Sequence, residues 1–314
     1  MLRVLRAALA ALLLGGCNFG GDEVAPDRLP RYVPPPSGAA PRVAIVLGSG
    51  GPRGFAHIGV LKVLEENGIK PDLIIGSSVG AMVGALYAAG VDAAQLEKLA
   101  HEINVMEFFE FRMLGGGLSS GAAIQAYVNA RVGGKPIEAL PTRFAVAATR
   151  ASDRKLALFN HGDTGLAVRA SSASPGQFAP VKVGDQEYID GDEAAPVPIR
   201  AARAMGARFV IAVDVSAFEK DTPPGVPQEW VEKDARRLKQ ITRELSDADI
   251  MLHPNIGYYA GYKEEYRQRV IEMAEKYTRE QMPLLRAKFA QAGIPLATAQ
   301  NASTERSPSG RASR

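Results

Sequence analysis

Apolar and polar residues along this chain change period several times, and the changes mark out its elements. Val43-Ala44-Ile45-Val46-Leu47 is apolar throughout and runs into glycines, the pattern of a strand covered on both faces. Leu73-Ile74-Ile75 and Phe209-Val210-Ile211-Ala212-Val213-Asp214 repeat it. Between the first two, Phe55–Glu66 places Ile58, Leu61 and Leu64 at helical spacing. The small residues of Ser78–Ala89 predict a buried helix, and Ala93–Glu102, Ala122–Val132 and Ala195–Met205 read as further helices. Phe144–Thr149 reads as a strand with Leu156–Phe159 as its edge partner. Ile250–Leu252 is a short strand between two long polar-faced helices, Glu229–Leu245 and Tyr262–Phe289. Alternation of this kind predicts an α/β fold with a mostly parallel central sheet and helices on both faces.

The pattern breaks down at both ends. Residues 1–16 carry Arg3 and Arg6 ahead of the apolar run Ala7–Leu14, which is too short to span a bilayer and reads as a signal peptide. Leu14-Gly15-Gly16-Cys17 resembles a bacterial lipobox, in which the cysteine becomes the lipidated N-terminus. Cys17 is the only cysteine, so no disulfide forms within the chain. Asn18 is not the aspartate associated with inner-membrane retention, and the expected location is the outer membrane, facing the periplasm. Residues 17–41 include Pro26, Pro30, Pro34, Pro35, Pro36 and Pro41, and read as a stiff tether. The folded domain is expected over 42–295, and a disordered tail over 296–314.

Charge excludes one class of partner. The 314 residues hold 37 Lys+Arg and 34 Asp+Glu; removal of residues 1–16 leaves 35 against 34, about +1. No dense basic run or aromatic–basic interleaving is present, and no nucleic-acid partner is expected. There is no H-E-x-x-H and no calcium-loop carboxylate pattern, and no metal or cofactor is expected.

The chemistry concentrates at three places. Gly76-Ser77-Ser78-Val79-Gly80, between a strand and a helix, has the G-x-S-x-G pattern of a nucleophile elbow, whose glycines allow the sharp turn that exposes Ser78. Gly48-Ser49-Gly50-Gly51-Pro52-Arg53-Gly54 follows the preceding strand at a helix N-terminus, where backbone N–H groups face an anion. Its spacing is neither G-x-G-x-x-G nor G-K-[ST], so a dinucleotide site is the weaker reading and an oxyanion hole the stronger. Pro52 has no N–H, leaving Gly50, Gly51, Arg53 and Gly54 as donors. The third place is Asp190-Gly191, after Tyr188-Ile189.

Ser78 needs a base. The chain has four histidines: His57, His101, His161 and His253. The order Ser78…Asp190…His253 is that of an α/β-hydrolase triad, although His253 between Leu252 and Pro254 also reads as a strand end. The alternative is Asp190 itself, a weak base in water whose basicity rises on burial.

V-L-G-S-G-G-P-R-G-F-A-H-I-G-V-L, I-I-G-S-S-V-G-A and Y-I-D-G-D, in this order, resemble the patatin-like phospholipase family, as do Ala170–Gly176 and Pro196-Val197-Pro198. The resemblance covers roughly Val43–Ser216. It implies a three-layer α/β sandwich and hydrolysis of acyl esters in membrane lipids through a Ser-Asp dyad. Carried onto this chain, Ser78 is the nucleophile, Asp190 the general base, Gly50 and Gly51 oxyanion donors, and Arg53 a brace for the loop. Ser49 and Asp192 depart from the pattern, where glycine and glycine or alanine are usual. Val105–Leu114, ahead of Gly115–Gly117, reads either as a lid over an apolar entrance or as a helix packed on the core. Two other readings compete: an esterase or protease using His253, and an envelope scaffold without catalysis.

Overall fold

The computed structural model describes residues 24–36, 38, 40–109 and 118–296. The signal peptide, Cys17, the 110–117 portion of the lid stretch and the tail from 297 onward lie outside the described residues. Among the described residues, eight strands form one sheet. In chain order the elements are β1 (Val43–Leu47), α1 (Ala56–Glu66), β2 (Leu73–Ser77), α2 (Val79–Ala88), α3 (Ala93–Glu102), α4 (Ala122–Arg131), β3 (Arg143–Arg150), β4 (Leu156–Phe159), α5 (Thr164–Ser171), β5 (Val181–Val183), β6 (Gln186–Ile189), α6 (Ile199–Ala204), β7 (Phe209–Val213), α7 (Gln228–Glu244), β8 (Ile250–Leu252) and α8 (Glu264–Gln291). The sheet order is β5-β6-β3-β2-β1-β7-β8, with β4 also paired to β3. Pairs among β3, β2, β1, β7 and β8 are parallel, and those of β4, β5 and β6 antiparallel, so the sheet is mixed at one side.

Side-chain alternation along the parallel strands builds the three layers. Val43, Ile45 and Leu47 point into one core with Phe209, Ile211 and Val213, while Ala44 and Val46 point into the other with Val210 and Ala212. The first core is packed by α1, α2 and α8, and Phe209 stacks on Phe289 of α8 at 4.3 Å. The thinner second core is closed by Ile199 and Ala202 of α6 and Ile241 of α7. No helix among the described residues is long and apolar enough to cross a membrane.

Three of the differences from the sequence expectation have a direct physical cause. The helix expected over Ala195–Met205 begins only at Ile199, because Pro196 and Pro198 lack N–H groups and hold the chain extended. Thr164–Ser171 is an unexpected helix, capped by Asp163, whose carboxylate accepts from Leu166 N at 2.8 Å. Part of the expected tether is docked rather than free. Pro26–Arg28 forms a turn, and Arg31 pairs antiparallel with His161. Val33 N donates to Asn160 Oδ1 at 2.8 Å, and Arg28 bonds Asp163 Oδ2 at 3.2 Å. Because β4 runs antiparallel to β3, this strap sits toward the start of β3, away from the end that carries Ser77.

Asp163 therefore caps a helix, receives Asn129 Nδ2 at 2.9 Å and anchors Arg28, all while buried. Asp163→Ala is expected to lower unfolding stability by about 2–3 kcal/mol, the sum of a lost cap and the Asn129 amide left without its acceptor. Urea unfolding of both proteins measures it, and a loss below ~0.5 kcal/mol, the range of an ordinary surface substitution, contradicts the assigned role.

Candidate active site

The site forms where two strands run out on the same edge of a third. Ser77 at the end of β2 pairs with Ala147 of β3, and Ile189 at the end of β6 pairs with Thr149. β4 occupies the other edge of β3 at both positions. β2 and β6 thus approach head to head along one edge, and their next residues, Ser78 and Asp190, converge beside Ala148. Ser78 Oγ donates to Asp190 Oδ2 at 2.9 Å.

Ser78 is held at φ 56°, ψ −122°, a conformation L residues avoid, which is the backbone signature of an elbow. Its N–H donates to Ser171 Oγ at 2.8 Å, and Ser171 donates onward to Ala147 O at 2.6 Å. The turn closes tightly enough that a Cβ on Gly80 would lie 2.2 Å from Leu47 O. Asp190 is fixed as firmly. Its N–H bonds Ala173 O, its carbonyl accepts from Thr149 Oγ1 at 2.7 Å, and its Oδ1 accepts from Asp192 N at 2.9 Å. A Cβ on Gly191 would lie 2.3 Å from Ala147 O, so only glycine lets the chain turn away here.

The glycine loop borders the same cleft. Among the four expected donors, Arg53 N is already bonded to Gly50 O at 3.1 Å, and Gly54 is the fourth residue of the 3-10 turn Gly51–Phe55, where ladder bonding begins. Gly50 and Gly51 retain amides without an acceptor among the described residues. The Arg53 guanidinium donates to Tyr258 O, tying the loop to the segment before α8.

The histidines are placed elsewhere. His57 is buried with Nε2 on Gly48 O at 2.8 Å, and burial lowers its pKa to about 4, so it stays neutral and supports the loop. His253 sets Nε2 on Ser216 O at 2.9 Å and stacks on Phe218, with Asp214 3.7 Å from Nδ1. His101 faces Glu264, and His161 belongs to the strap contact. The triad arrangement with His253 bonded to Asp190 or Ser78 is not formed.

Asp190 is 5% exposed, and burial first, with the charge of Asp192 second, pushes its pKa up to about 7. Asp192 goes the other way: Arg237 at 3.1 Å from Oδ1, Lys233 at 3.5 Å from Oδ2 and the Ser49 hydroxyl hold it well below the usual range despite its burial. The two departures from the family pattern are therefore partners, with Ser49 Oγ donating to Asp192 Oδ1 at 2.5 Å. Sequence reading missed Arg237 and Lys233, which lie within a strongly charged helix, and Ser171 and Thr149, whose hydroxyls resemble any other from sequence.

The cleft measures about 600 Å³. Ser78, Asp190 and the glycine loop occupy one part; Met82, Leu86, Leu99, Ile103 and Phe108 line an apolar part. Phe108 packs edge-on against Tyr127, and Phe109 meets Phe178 and Tyr262, so the described start of the lid stretch forms cleft wall.

A family model described as patatin-like phospholipase matches residues 45–203. The chain belongs to the patatin-like phospholipase family. It is 35% identical over 213 residues to an uncharacterized NTE family protein of Mycobacterium tuberculosis, covering 65% of this chain and 58% of that one. It is 32% identical over 189 residues to lysophospholipase NTE1 of Coccidioides immitis and 33% over 186 residues to human patatin-like phospholipase domain-containing protein 6, covering 58% and 57% of this chain. It spans 12% and 14% of those two larger proteins. The fold matches the crystal structure of VipD from Legionella pneumophila with a TM-score of 0.51 at 12% identity, over 81% of this chain and 70% of VipD.

The raised pKa of Asp190 carries a stability consequence. Between the unfolded value of 3.8 and the folded value of about 7, the folded protein retains a proton that the unfolded chain releases. Stability from this group is full below pH 3.8 and lost as pH rises through about 7. Asp190→Asn is expected to be more stable than the parent at pH 8 by a few kcal/mol, at ~1.4 kcal/mol for each tenfold change in proton affinity, with the advantage shrinking toward pH 4. Denaturant unfolding across that range tests it; a difference independent of pH contradicts it.

Proposed function

We propose that this protein is a serine acyl hydrolase that cleaves ester bonds of membrane lipids through a Ser78–Asp190 dyad. The observation that carries the reading is the 2.9 Å Ser78–Asp190 hydrogen bond opening directly onto a cleft with an apolar interior. Family membership and the similarity to a lysophospholipase of Coccidioides immitis support the lipid class.

In the proposed sequence, Ser78 Oγ attacks the ester carbonyl carbon as Asp190 Oδ2 takes its proton. The carbonyl oxygen becomes an oxyanion that accepts from Gly50 N–H and Gly51 N–H. Collapse breaks the ester C–O bond, and the departing alcohol takes the proton from Asp190. Asp190 then deprotonates a water that attacks the acyl-Ser78 carbon, and Ser78 leaves with that proton. A base with a pKa near 7 suits this work better than an ordinary carboxylate, because about half of it is ionised at neutral pH and it binds a proton well.

Substrate class follows from the shape of the cleft. The side chains of α2 and α3 offer an acyl chain an apolar bed, and the mouth carries Trp230, Tyr259 and Tyr262, all with substantial exposure. Amphipathic rings at a cleft mouth suit a lipid–water boundary. The lipobox supports a lipidated Cys17 holding the domain at the outer membrane on its periplasmic side, near ester lipids.

The test offers protein lacking residues 1–17 three substrates: phospholipid vesicles, a soluble short-chain ester and casein. Vesicle hydrolysis is expected, with Ser78→Ala and Asp190→Asn each lowering kcat/KM by about 10³-fold or more and His253→Ala leaving it within about threefold. Activity that survives Asp190→Asn and disappears in His253→Ala overturns the dyad. Absence of turnover on all three substrates supports the scaffold reading instead.

The aromatic mouth generates a separate expectation. Trp230→Ala is expected to reduce vesicle hydrolysis by about tenfold, the cost of losing one aromatic contact with the lipid surface at ~1.4 kcal/mol, and to spare the soluble ester. Equal losses on both substrates would place Trp230 in the fold and not at the lipid boundary.

A further inference from the structure

Arg237 lies on α7, beyond residues 45–203 matched by the family model, and its surroundings give it work that the dyad alone leaves undone. It is 8% exposed, and its guanidinium makes two directed contacts. Nη1 is 3.1 Å from Asp192 Oδ1, and Nη2 donates to Ser49 O at 3.3 Å. Ser49 O belongs to the same peptide unit as Gly50 N–H.

A trans peptide is planar, and its C=O and N–H point in opposite directions. Gly50 and Ser78 line the same cleft, and holding the Ser49 carbonyl on Arg237 fixes the direction of the Gly50 N–H on the opposite side of that peptide. The constraint is needed at this position. Gly50 has no side chain to restrict the rotation of that peptide plane, and its amide has no acceptor among the described residues. A cation against the carbonyl also polarises the amide and strengthens its N–H as a donor.

We infer that Arg237 is a positioning residue that orients and polarises the Ser49–Gly50 peptide as an oxyanion donor, with Asp192 holding Arg237 in place. Ser49 is gripped twice, at its carbonyl by Arg237 and at its hydroxyl by Asp192. Asp192 also donates its N–H to Asp190 Oδ1, so one residue links the proposed oxyanion donor to the proposed base. Lys233 completes the arrangement by pairing with the second oxygen of Asp192. The side chains at the two departures from the family pattern act together in this clamp.

The inference rests on the acyl transfer proposed at Ser78 and is tested on a soluble p-nitrophenyl butyrate, so that lipid docking plays no part. Arg237→Met keeps the length and apolar bulk and removes both contacts. The expected result is a fall in kcat of about 10²-fold with KM within about threefold. Affinity for an alkyl trifluoromethyl ketone, which forms a tetrahedral oxyanion on the serine, should fall by a similar factor. Arg237→Lys, able to make only one of the two contacts, should recover about tenfold of the loss. Should Arg237→Met fail to fold, Arg237→Lys alone decides: a loss of about tenfold in kcat at unchanged KM supports the inference, and parental kcat overturns it.

Arg237→Met with parental kcat, or with kcat lost and ketone affinity retained, also overturns it. These results differ from failure of the underlying reading, in which the parent protein itself shows no Ser78-dependent turnover.

Discussion

The site depends on one constraint in the sheet: β2 and β6 end against each other on the same edge of β3. One strand arrives parallel and the other antiparallel, so their C-terminal residues meet beside Ala148. No loop has to fold back to bring Ser78 to Asp190 across 112 positions of sequence. The strands are fixed by their registers, and the two residues inherit that precision. The positive φ of Ser78 and the bare Gly191 are the local adjustments that let the chain leave each strand at this crowded point.

That location also sets the electrostatics. Asp190 lies at the buried end of β6 with a backbone amide and a hydroxyl as its side-chain partners and, among the described residues, no cation in direct contact. Asp192, two residues on, faces Arg237 and Lys233 and takes the positive charge available nearby. One carboxylate is thereby kept ionised and structural, and the other is left with a raised affinity for a proton. Separation of two neighbouring carboxyls into different protonation ranges is how such sites divide their labour.

Much of this was legible in the chain. The parallel strands stand out because burial on both faces leaves nearly continuous apolar runs, and the elbow stands out because its turn demands glycine. Asp190 could be picked out through the resemblance of Y-I-D-G-D to the patatin-like pattern, since Asp190-Gly191 by itself reads as an ordinary turn. Other features had no local signal. Thr164–Ser171 is eight residues long and owes its helicity to the Asp163 cap and to packing on α4. The docked strap looks like any proline-rich linker, since its partners, Asn160, His161 and Asp163, lie about 130 residues away. Arg237 shares α7 with Lys233, Arg236 and Lys239, and nothing in its own neighbourhood marks the one arginine that is buried. Ser49 and Asp192 could be seen as unusual but not as a pair, because their contact exists only once β1 and β6 share a sheet.

Central to the account is proton transfer from Ser78 to a carboxylate and not to an imidazole. The most direct measurement is the rate at which a fluorophosphonate labels Ser78 as pH is varied from 5 to 9. The account predicts a single acid limb with its midpoint near 7, the value toward which burial and Asp192 push Asp190, unchanged when His253 is replaced by alanine. A midpoint near 4, or a limb that moves or vanishes in His253→Ala, would contradict it.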